Sequence, residues 1–417
     1  MRRSIGVALC GLLLMAPGFC GAASLEEAVQ RALARHPEVL AAQAEVAQAR
    51  TEVAIARNAY LPSLSASAGP AGDGVGYDVT LSQTVYDFGQ AKGQVDQKRA
   101  LAAQKEAHLE VVRDDAALEM VEVYLDIASK RLQLALLEKH LERLAVLSDT
   151  SRARVEGRYA DQAEIARVRL AIAGADANRA RLQGELAEAT DHYRVLLDEA
   201  PNGVQLPGLP HFLEPLRADG ALSTAISEAP LYRRAEAVVR AADAGVREAE
   251  AARWPRLALE GSVQRREIGG QLVEDSIIAL RFRLGAQQGF ASFQRPRLEA
   301  QRRQAAALGA DAVARDLKRL VGSLQSLDLA LAGRIDAFAD QSEQSDAVRG
   351  LYREQFLVGR REVQDLVVME SEHLVAEQQV ADLTIERFRL QYRAAAQLGL
   401  LADALAGPAP ESAGATR

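Results

Sequence analysis

Few residues of this 417-residue chain have the types and spacing of a catalytic or metal site. Glu370 and His373 form an ExxH pair, which binds iron in helical bundles when a second such pair and further glutamates face it. The matching place in the first half of the chain has no second pair. The glycines of residues 72–76 lie between two strand-like segments, so they are typical of a turn and not of a phosphate-binding loop. The sequence also lacks HExxH, GxSxG and P-loop motifs, so it does not favour an enzyme, and we expect no metal and no cofactor.

The composition argues against several other classes of protein. Alanine is abundant and aromatic residues make up only 5% of the chain, which favours long helices packed along narrow seams over a thick globular core. Two cysteines cannot build a disulfide scaffold or a four-ligand zinc site. A formal net charge of −7 gives no reason to expect a nucleic-acid partner.

Residues 1–23 are typical of a secretory signal peptide. Two arginines are followed by an apolar run over residues 5–19 and then by small residues at 21–23. The run is short for a bilayer span, which makes a membrane anchor the weaker alternative. Cys20 raises the alternative of a lipid anchor, but the bulky Phe19 before it disfavours that processing. The mature chain is therefore predicted to be exported.

The remainder of the sequence is a repeat. Shifting the chain by 193 residues, and by 202 farther along, superimposes its two halves. The proline and Gly-Arg positions in register are Pro37 with Pro230, Pro62 with Pro255, and Gly157-Arg158 with Gly359-Arg360. We predict structural repeats at 24–217 and 218–406, followed by a disordered tail at 407–417.

Each repeat is predicted to contain a β-hairpin after its first helix. Pro62 and Pro255 end the first helices, and the hairpins are placed at about 61–88 and 256–285. Apolar and polar residues alternate through residues 77–86, about the length of a transmembrane strand. The hairpins are therefore candidates for strands of a membrane β-barrel.

A pair of long helices is predicted to follow each hairpin. Leucines spaced by three and four residues from 317 to 331 form a heptad seam. We predict a helix over about 297–349, roughly 75–80 Å long at 1.5 Å per residue. The helix-turn glycines Gly157 and Gly359 are expected to lead into return helices.

Four strands are too few for a closed barrel with a lumen, and open strand edges are not tolerated in lipid. Three chains would supply twelve strands, which is within the range of bacterial barrels. The predicted fold is thus mainly α with a small membrane β-barrel portion, and the predicted assembly is a trimeric channel-tunnel.

This plan resembles the TolC family of outer-membrane efflux and secretion proteins over nearly the entire mature chain. The resemblance rests on the doubled order of elements and on three short motifs: His36-Pro37, Leu61-Pro62-Ser63-Leu64 and Tyr86-Asp87-Phe88-Gly89. The second copy of the last motif, residues 282–285, lacks the aspartate, so that corner is expected to differ. The resemblance implies a passive homotrimeric channel in outer-membrane lipid that reaches into the periplasm. Its implied partners are a periplasmic adaptor and an inner-membrane pump of the ABC or RND type.

The resemblance also implies a periplasmic constriction just after the second helix turn. Asp365 matches a family aspartate that forms an acidic ring, and Arg361 matches an arginine that ties the second helical hairpin to the first. Phe356 occupies a site where some members have tyrosine. Glu164, or alternatively Asp161, would be the partner in the first repeat. A ring of three carboxylates would select cations, whereas the alternative for Asp365 is a solvated carboxylate at a helix turn.

The cargo is open within this family. Short extracellular turns and the absence of a favoured lipid anchor lean towards type I protein secretion, with multidrug or metal efflux as the alternative. A soluble periplasmic coiled-coil adaptor is the alternative from another class, but it does not account for two hairpins at equivalent places.

Overall fold

The computed structural model describes residues 24–71, 74–268, 271–284 and 291–406. The predicted signal peptide with both cysteines and the predicted tail lie outside these residues. The elements of the first repeat are α1 (Leu25–Arg35), α2 (Pro37–Arg57), β1 (Ser63–Ala71), β2 (Gly74–Tyr86), α3 (Gln90–Glu156) and α4 (Gln162–Leu197). Those of the second are α5 (Ala221–Glu228), α6 (Pro230–Ala251), β3 (Arg256–Ile268), β4 (Gln271–Arg283), α7 (Ala291–Leu357) and α8 (Val363–Leu398), followed by α9 (Leu401–Ala406).

Prolines begin and end the first helical segment of each repeat. Pro37 and Pro230 are the first residues of α2 and α6, where a missing backbone N–H costs no helical hydrogen bond. Pro62 and Pro255 directly precede β1 and β3, after the helix has ended. These two prolines therefore mark the change from helix to strand in both repeats.

The long helices exceed the predicted length. α3 and α7 have 67 residues each, or about 100 Å at 1.5 Å per residue. α7 begins at Ala291 and continues through Pro296, although this proline lies beyond the first turn and supplies no backbone N–H to the helix. In the described part of the chain, no helix combines the length and the apolarity required to cross a membrane.

The heptad leucines of α7 point in two directions. Leu317 and Leu331 are buried against α8 and the second-repeat core, whereas 37% of Leu320 and 45% of Leu327 are exposed in the single chain. The predicted seam is therefore only half covered by this chain.

The helical hairpins of the two repeats correspond at a single shift of 201 residues. α3 and α7 are equally long, and the return helices α4 and α8 have 36 residues each. The left-handed backbone position in the turn falls on Arg158 (φ 61°) in one hairpin and on Gly359 (φ 76°) in the other. The predicted pairing of Gly157 with Gly359 is thus wrong by one residue.

Gly157 has an ordinary negative φ of −75°. A Cβ at this position would lie 2.8 Å from the ring of Tyr159, so a larger residue would have to displace that exposed ring, whereas the backbone angle itself suits any residue.

The strands form one antiparallel sheet in the order β1-β2-β3-β4. The hairpins pair through β2 and β3, with Val79 opposite Val263, so the sheet joins the two repeats. β1 and β4 each have a neighbour on one side in the described chain and form the edges of the sheet.

The sheet has one apolar face and one polar face. The apolar face is largely exposed in the single chain: Leu64, Leu81, Leu259, Ile278, Leu280 and Phe282 lie on it. On the other face Glu260 is only 4% exposed and is paired with Arg283 and, at 3.1 Å, with Arg281. The alternation predicted for the strands is therefore present, and on the polar face Glu260 is shared between two arginines.

Small hydrophobic clusters follow one another along the helical bundle. One contains Met120, Leu125 and Tyr392, and it joins α1, α3, α8 and α9. Its second-repeat counterpart includes Leu317 and Leu390. Fully buried alanines, such as Ala117 and Ala395, lie in these seams, which is consistent with the expected close packing of helices.

Candidate functional site

The helix turns at the end of the bundle bring most of the predicted site residues together. Beneath the turns lies a small core made of Leu147, Val168, Phe356, Val363 and Leu366. Because its members come from α3, α4, α7 and α8, this core packs the two helical hairpins against each other.

Asp365 lies in the first turn of α8, where the helix dipole favours a carboxylate. Its side chain is 39% exposed, and its Oδ2 lies 3.4 Å from Arg361 Nη1. Arg361 also donates to Gln355 Oε1 at 3.1 Å and stacks over the ring of Tyr352 at 4.0 Å. These contacts all lie within the α7–α8 hairpin, so within one chain Arg361 does not make the predicted tie to the first hairpin.

Arg154 makes that connection instead. Its Nη1 donates to the carbonyl oxygen of Phe356 at 2.7 Å, and its guanidinium lies 4.4 Å from the centre of the Phe356 ring. Arg154 Nε is 3.3 Å from Glu164 Oε1, close enough for an ion pair although not aligned as a hydrogen bond. One arginine of α3 therefore contacts α4 and α7 together.

Glu164 and Asp161 have different tasks in the first hairpin. The side chain of Glu164 is 11% exposed and faces Arg154. Asp161 caps α4, because its Oδ1 accepts the backbone N–H groups of Ala163 and Glu164 at 2.9 and 3.2 Å. Of the two alternatives, Glu164 is the residue that faces Arg154, and at the shift of 201 it corresponds to Asp365.

The tip of each turn exposes apolar side chains. Tyr159 is 81% exposed, and Leu357 and Val358 are 62% and 70% exposed. Residues of this kind at the end of a bundle form a surface that a further protein can cover.

A second charged cluster lies farther along α8 and contains the ExxH residues. Glu370 accepts from Arg143 Nε at 2.8 Å and from Arg349 Nη1 at 3.1 Å, so a carboxylate of α8 is held between arginines of α3 and α7. His373 is buried, and its Nδ1 lies 2.9 Å from Ser345 Oγ. Within the described ranges no group of histidine, cysteine or acidic side chains has the arrangement of a metal site. The contacts of Glu370 and His373 join α8 to α3 and α7.

Electrostatic shifts accompany this cluster. A hydrogen bond from Arg349 holds the pKa of Asp346 below its ordinary value. Burial lowers the pKa of the nearby His140, and the charge of Arg143 acts in the same direction. The charged side chains of this cluster are therefore partly buried and close together, so the charge state of each depends on the others.

Sequence reasoning missed Arg154, Arg143 and Arg349. Arginines are frequent throughout the helices, so their composition carries no signal. The repeat offers a signal for Arg154. At the shift of 201 this residue corresponds to Gln355, so the two hairpins differ in charge at this place.

The strand-to-helix corner of the first repeat explains the Tyr86–Gly89 motif. Asp87 accepts the backbone N–H of Gly89 at 3.0 Å and that of Ala91 at 2.7 Å, which caps α3. Gly89 has φ 91°, which glycine adopts without strain. The ring of Phe88 stacks on Trp254 with 5.5 Å between centroids. Most of the corresponding corner of the second repeat, from residue 285, lies outside the described residues.

A comparison with models of protein families shows what the first repeat is similar to. Residues 28–197 match the family model described as outer membrane efflux protein. The first repeat is therefore similar to outer membrane efflux proteins. This match, together with the fold described next, confirms the TolC-family resemblance stated from the sequence.

Solved structures show that the efflux-protein fold extends through both repeats. Three similar structures cover 90% of this chain each. CusC has a TM-score of 0.78 and 16% identity, with 91% of its own chain covered. The outer-membrane channel OprN has a TM-score of 0.77 and 20% identity, with 89% covered. The outer membrane protein VceC of Vibrio cholerae has a TM-score of 0.76 and 14% identity, with 96% covered.

A sequence search among curated proteins gives no significant match. The comparisons therefore confirm the fold class, and they show that the first repeat is similar to outer membrane efflux proteins. They leave its cargo open.

Proposed function

We propose that three copies of this chain form a passive channel that crosses the outer membrane and continues as a helical tunnel through the periplasm. The amphipathic sheet is the observation that carries the proposal. Its exposed apolar face suits lipid, its polar face suits a water-filled lumen, and helices of about 100 Å leave the same end of each hairpin.

The trimer follows from the unpaired edges. β1 and β4 can pair with β4 and β1 of neighbouring copies, and three four-stranded sheets then close as twelve strands. The exposed Leu320 and Leu327 of α7 supply apolar contacts for a neighbouring copy along the tunnel.

The two repeats, 24–217 and 218–406, would then alternate around the tunnel. Membrane fractionation followed by gel electrophoresis tests this assembly. We expect a heat-sensitive trimer in the outer-membrane fraction. A monomer recovered from the periplasm would contradict the proposal and favour the soluble adaptor.

The proposed partners are a periplasmic adaptor and an inner-membrane pump. Exposed Tyr159, Leu357 and Val358 at the bundle tip support a docking role for that end of the molecule. The pump would be of the ABC or RND type. The trimer would be embedded in outer-membrane lipid, with no enzymatic step, no cofactor and no nucleic-acid partner.

We place efflux of small toxic compounds first as the cargo class, because the family matched by the first repeat is an efflux family. Type I protein secretion, preferred from the sequence, is the second candidate. It is supported by the connections within the hairpins, where only two residues separate β1 from β2 and β3 from β4.

Deletion of the gene separates these two cargo classes. Raised drug or metal sensitivity with unchanged secreted proteins supports efflux. Loss of a secreted protein with unchanged sensitivity supports secretion.

The constriction is proposed at Asp365, which would form a ring of three carboxylates around the trimer axis. Asp365→Ala is expected to raise single-channel conductance and weaken block by divalent cations in planar bilayers. Glu354→Ala, at an exposed carboxylate of α7, is the matched control. Equal behaviour of the two variants would remove Asp365 from the constriction.

A further inference from the structure

Three arginines lie together on the polar face of the sheet, at the strand ends that adjoin the helices. Arg256 begins β3, while Arg281 and Arg283 lie at the end of β4, and the strand register places all three on the face of Glu260. Among the strand residues that the structure describes, Glu260 is the single carboxylate on this half of the face. The arginine cluster (Arg256, Arg281 and Arg283) therefore leaves an excess of two positive charges in each chain.

Glu260 does not occupy all the donors of the cluster. Its carboxylate contacts Arg283, lies 3.1 Å from Arg281 and accepts from Ser82 Oγ at 3.4 Å. The side chains of Arg281 and Arg283 are still 51% and 55% exposed. Each guanidinium has five N–H donors, whereas one carboxylate offers about four acceptor sites. Donors of both arginines therefore remain directed to solvent on this face.

The position of Arg256 points independently to an anion. Arg256 is the register partner of Arg283, and like charges directly opposite each other destabilise a pair of strands. The side chain of Arg256 is exposed, and within the described ranges it has no ion pair. Asp87, in the corner after β2, instead accepts the backbone N–H groups of Gly89 and Ala91. An anion held between Arg256 and Arg283 would remove their repulsion.

We propose that the arginine cluster is a binding site for carboxylate, phosphate or sulfate groups of the exported compounds, in the lumen where the barrel meets the helical tunnel. The proposal rests on the function proposed above, because the polar face lines a lumen only when three sheets close into a barrel. It assigns anionic compounds as the cargo class. In the trimer the cluster is present three times, with an excess of six positive charges.

The strand of the neighbouring copy does not neutralise this charge. In the proposed trimer β4 pairs with β1 of the next chain, and β1 contains no charged residue. Its residues on the polar face include Ser63, Ser65 and Ser67. Serine hydroxyls can donate hydrogen bonds to an anion. The sequence after β4, residues 285–290, also has no charged side chain.

The other half of the polar face has the opposite balance. Towards the turns of the hairpins it carries Asp78 and Asp275 in one row with Gln264, and Arg266 beyond them. Asp275 and Arg281 are six residues apart on β4, or about 20 Å at 3.4 Å per residue. The charge of the face therefore changes sign along the barrel. Because a ring of one sign selects ions of the other, the preference for anions belongs to the end that adjoins the helices.

The test is block of the purified full-length trimer by inorganic tripolyphosphate in planar bilayers. The long polar helices cannot cross the bilayer, so the barrel end enters first, and the blocker is added to the side that it faces. Changing both Arg281→Ala and Arg283→Ala should raise the half-blocking concentration about tenfold or more, as expected for loss of charge-assisted hydrogen bonds. The reversal potential in a salt gradient should shift towards cations.

Two further variants sharpen the test. Glu260→Gln removes the competing carboxylate, so it should change block in the opposite direction and lower the half-blocking concentration about threefold or more. Arg265→Ala is the matched control, because Arg265 is an exposed arginine of the same strand on the other face of the sheet. It should leave the block unchanged.

Each outcome supports or overturns the site. Equal block of the wild type and of the double arginine variant, or an equal loss in Arg265→Ala, overturns the anion site while the channel itself stands. A wild-type trimer that forms no channels overturns the proposed function. If the double variant does not assemble, Arg256→Ala is judged by the same concentration, since removal of this arginine relieves the repulsion with Arg283. A purely structural role of the cluster would lower the yield of trimers and leave block unchanged.

Discussion

Replacing Glu370 should loosen the contact among α3, α7 and α8 far more than replacing its exposed neighbour Glu372. The side chain of Glu370 is 11% exposed and is held by Arg143 at 2.8 Å and Arg349 at 3.1 Å. Glu370→Ala leaves both guanidinium groups without their shared acceptor in a place that water reaches poorly. Glu372 lies two residues away on the solvent side of α8.

The magnitude follows from the burial and from the contacts that remain. Removing one partner of a fully buried ion pair costs about 3–5 kcal/mol. Here the arginines are 20% and 25% exposed, Arg143 keeps Glu377 at 3.5 Å and Arg349 keeps Asp346 at 3.1 Å. We therefore expect a loss of about 2–3 kcal/mol in the free energy of local opening, against about 0.5 kcal/mol or less for Glu372→Ala.

Native-state hydrogen exchange on the trimer in detergent measures this free energy directly. A loss of about 2–3 kcal/mol corresponds to amide exchange about 30- to 150-fold faster in the facing segments of α3 and α8. Glu370→Gln should fall between the two, because an amide oxygen still accepts one hydrogen bond without the charge. Exchange in Glu370→Ala within threefold of that in Glu372→Ala would refute the role of this cluster in holding α3, α7 and α8 together.

Two further predictions concern pH. Burial, together with the charge of Arg143, lowers the pKa of His140 in the folded protein below its value in the unfolded chain. The contribution of the neutral His140 to folding stability is therefore complete above the unfolded pKa and is lost as pH falls through the folded pKa. Hydrogen exchange around His140, corrected for intrinsic rates, should therefore be faster at about pH 5 than at pH 7.5, and His140→Gln should reduce that difference. The second prediction concerns Asp114, whose Oδ1 accepts the backbone N–H groups of Leu401 and Ala402. Burial raises the pKa of Asp114 to about 7, so ionisation of this carboxyl lowers the folding stability as pH rises from about 4 to 7. Asp114→Asn keeps that acceptor, so it should hold α9 more firmly than wild type at pH 8 and equally firmly at pH 5. Digestion with carboxypeptidase, which measures release of the C-terminal segment, checks this. Greater release from the variant than from wild type at pH 8 would contradict this account.

Patterns that repeat along the chain predicted most of the fold. Prolines at 62 and 255 mark the change from helix to strand, because proline supplies no N–H to continue a helix. Alternation through residues 77–86 predicted one face apolar and one polar, since successive side chains of a strand point to opposite sides. The length of α7 was underestimated, because a proline near the start of a helix and a glycine near its end are weak boundaries when packing holds the helix.

The candidate site was predictable only in part. Asp365 and Glu164 are indicated by the family resemblance and by no local pattern, and the pairing of Gly157 with Gly359 is one residue out of register. Alanine-rich helices match themselves at several shifts, and a single Gly-Arg pair cannot choose among them. The backbone chooses, because the turn closes with Tyr159 N–H on the carbonyl of Arg154, as in the equivalent turn of the second repeat.

The sequence by itself determined the doubled plan, the positions of the hairpins and their amphipathic strands. These features depend on the spacing of apolar residues over two to four positions and on prolines that end helices. Only the tertiary structure decided which charges meet. Arg154 and Phe356 are 202 positions apart, and Arg143 and Glu370 are 227 apart. Such partners depend on the register between long helices, which is set by the packing of many small apolar side chains together. No local pattern records that register. The family resemblance therefore indicates Arg361 as the contact between the hairpins, whereas the fold places Arg154 there.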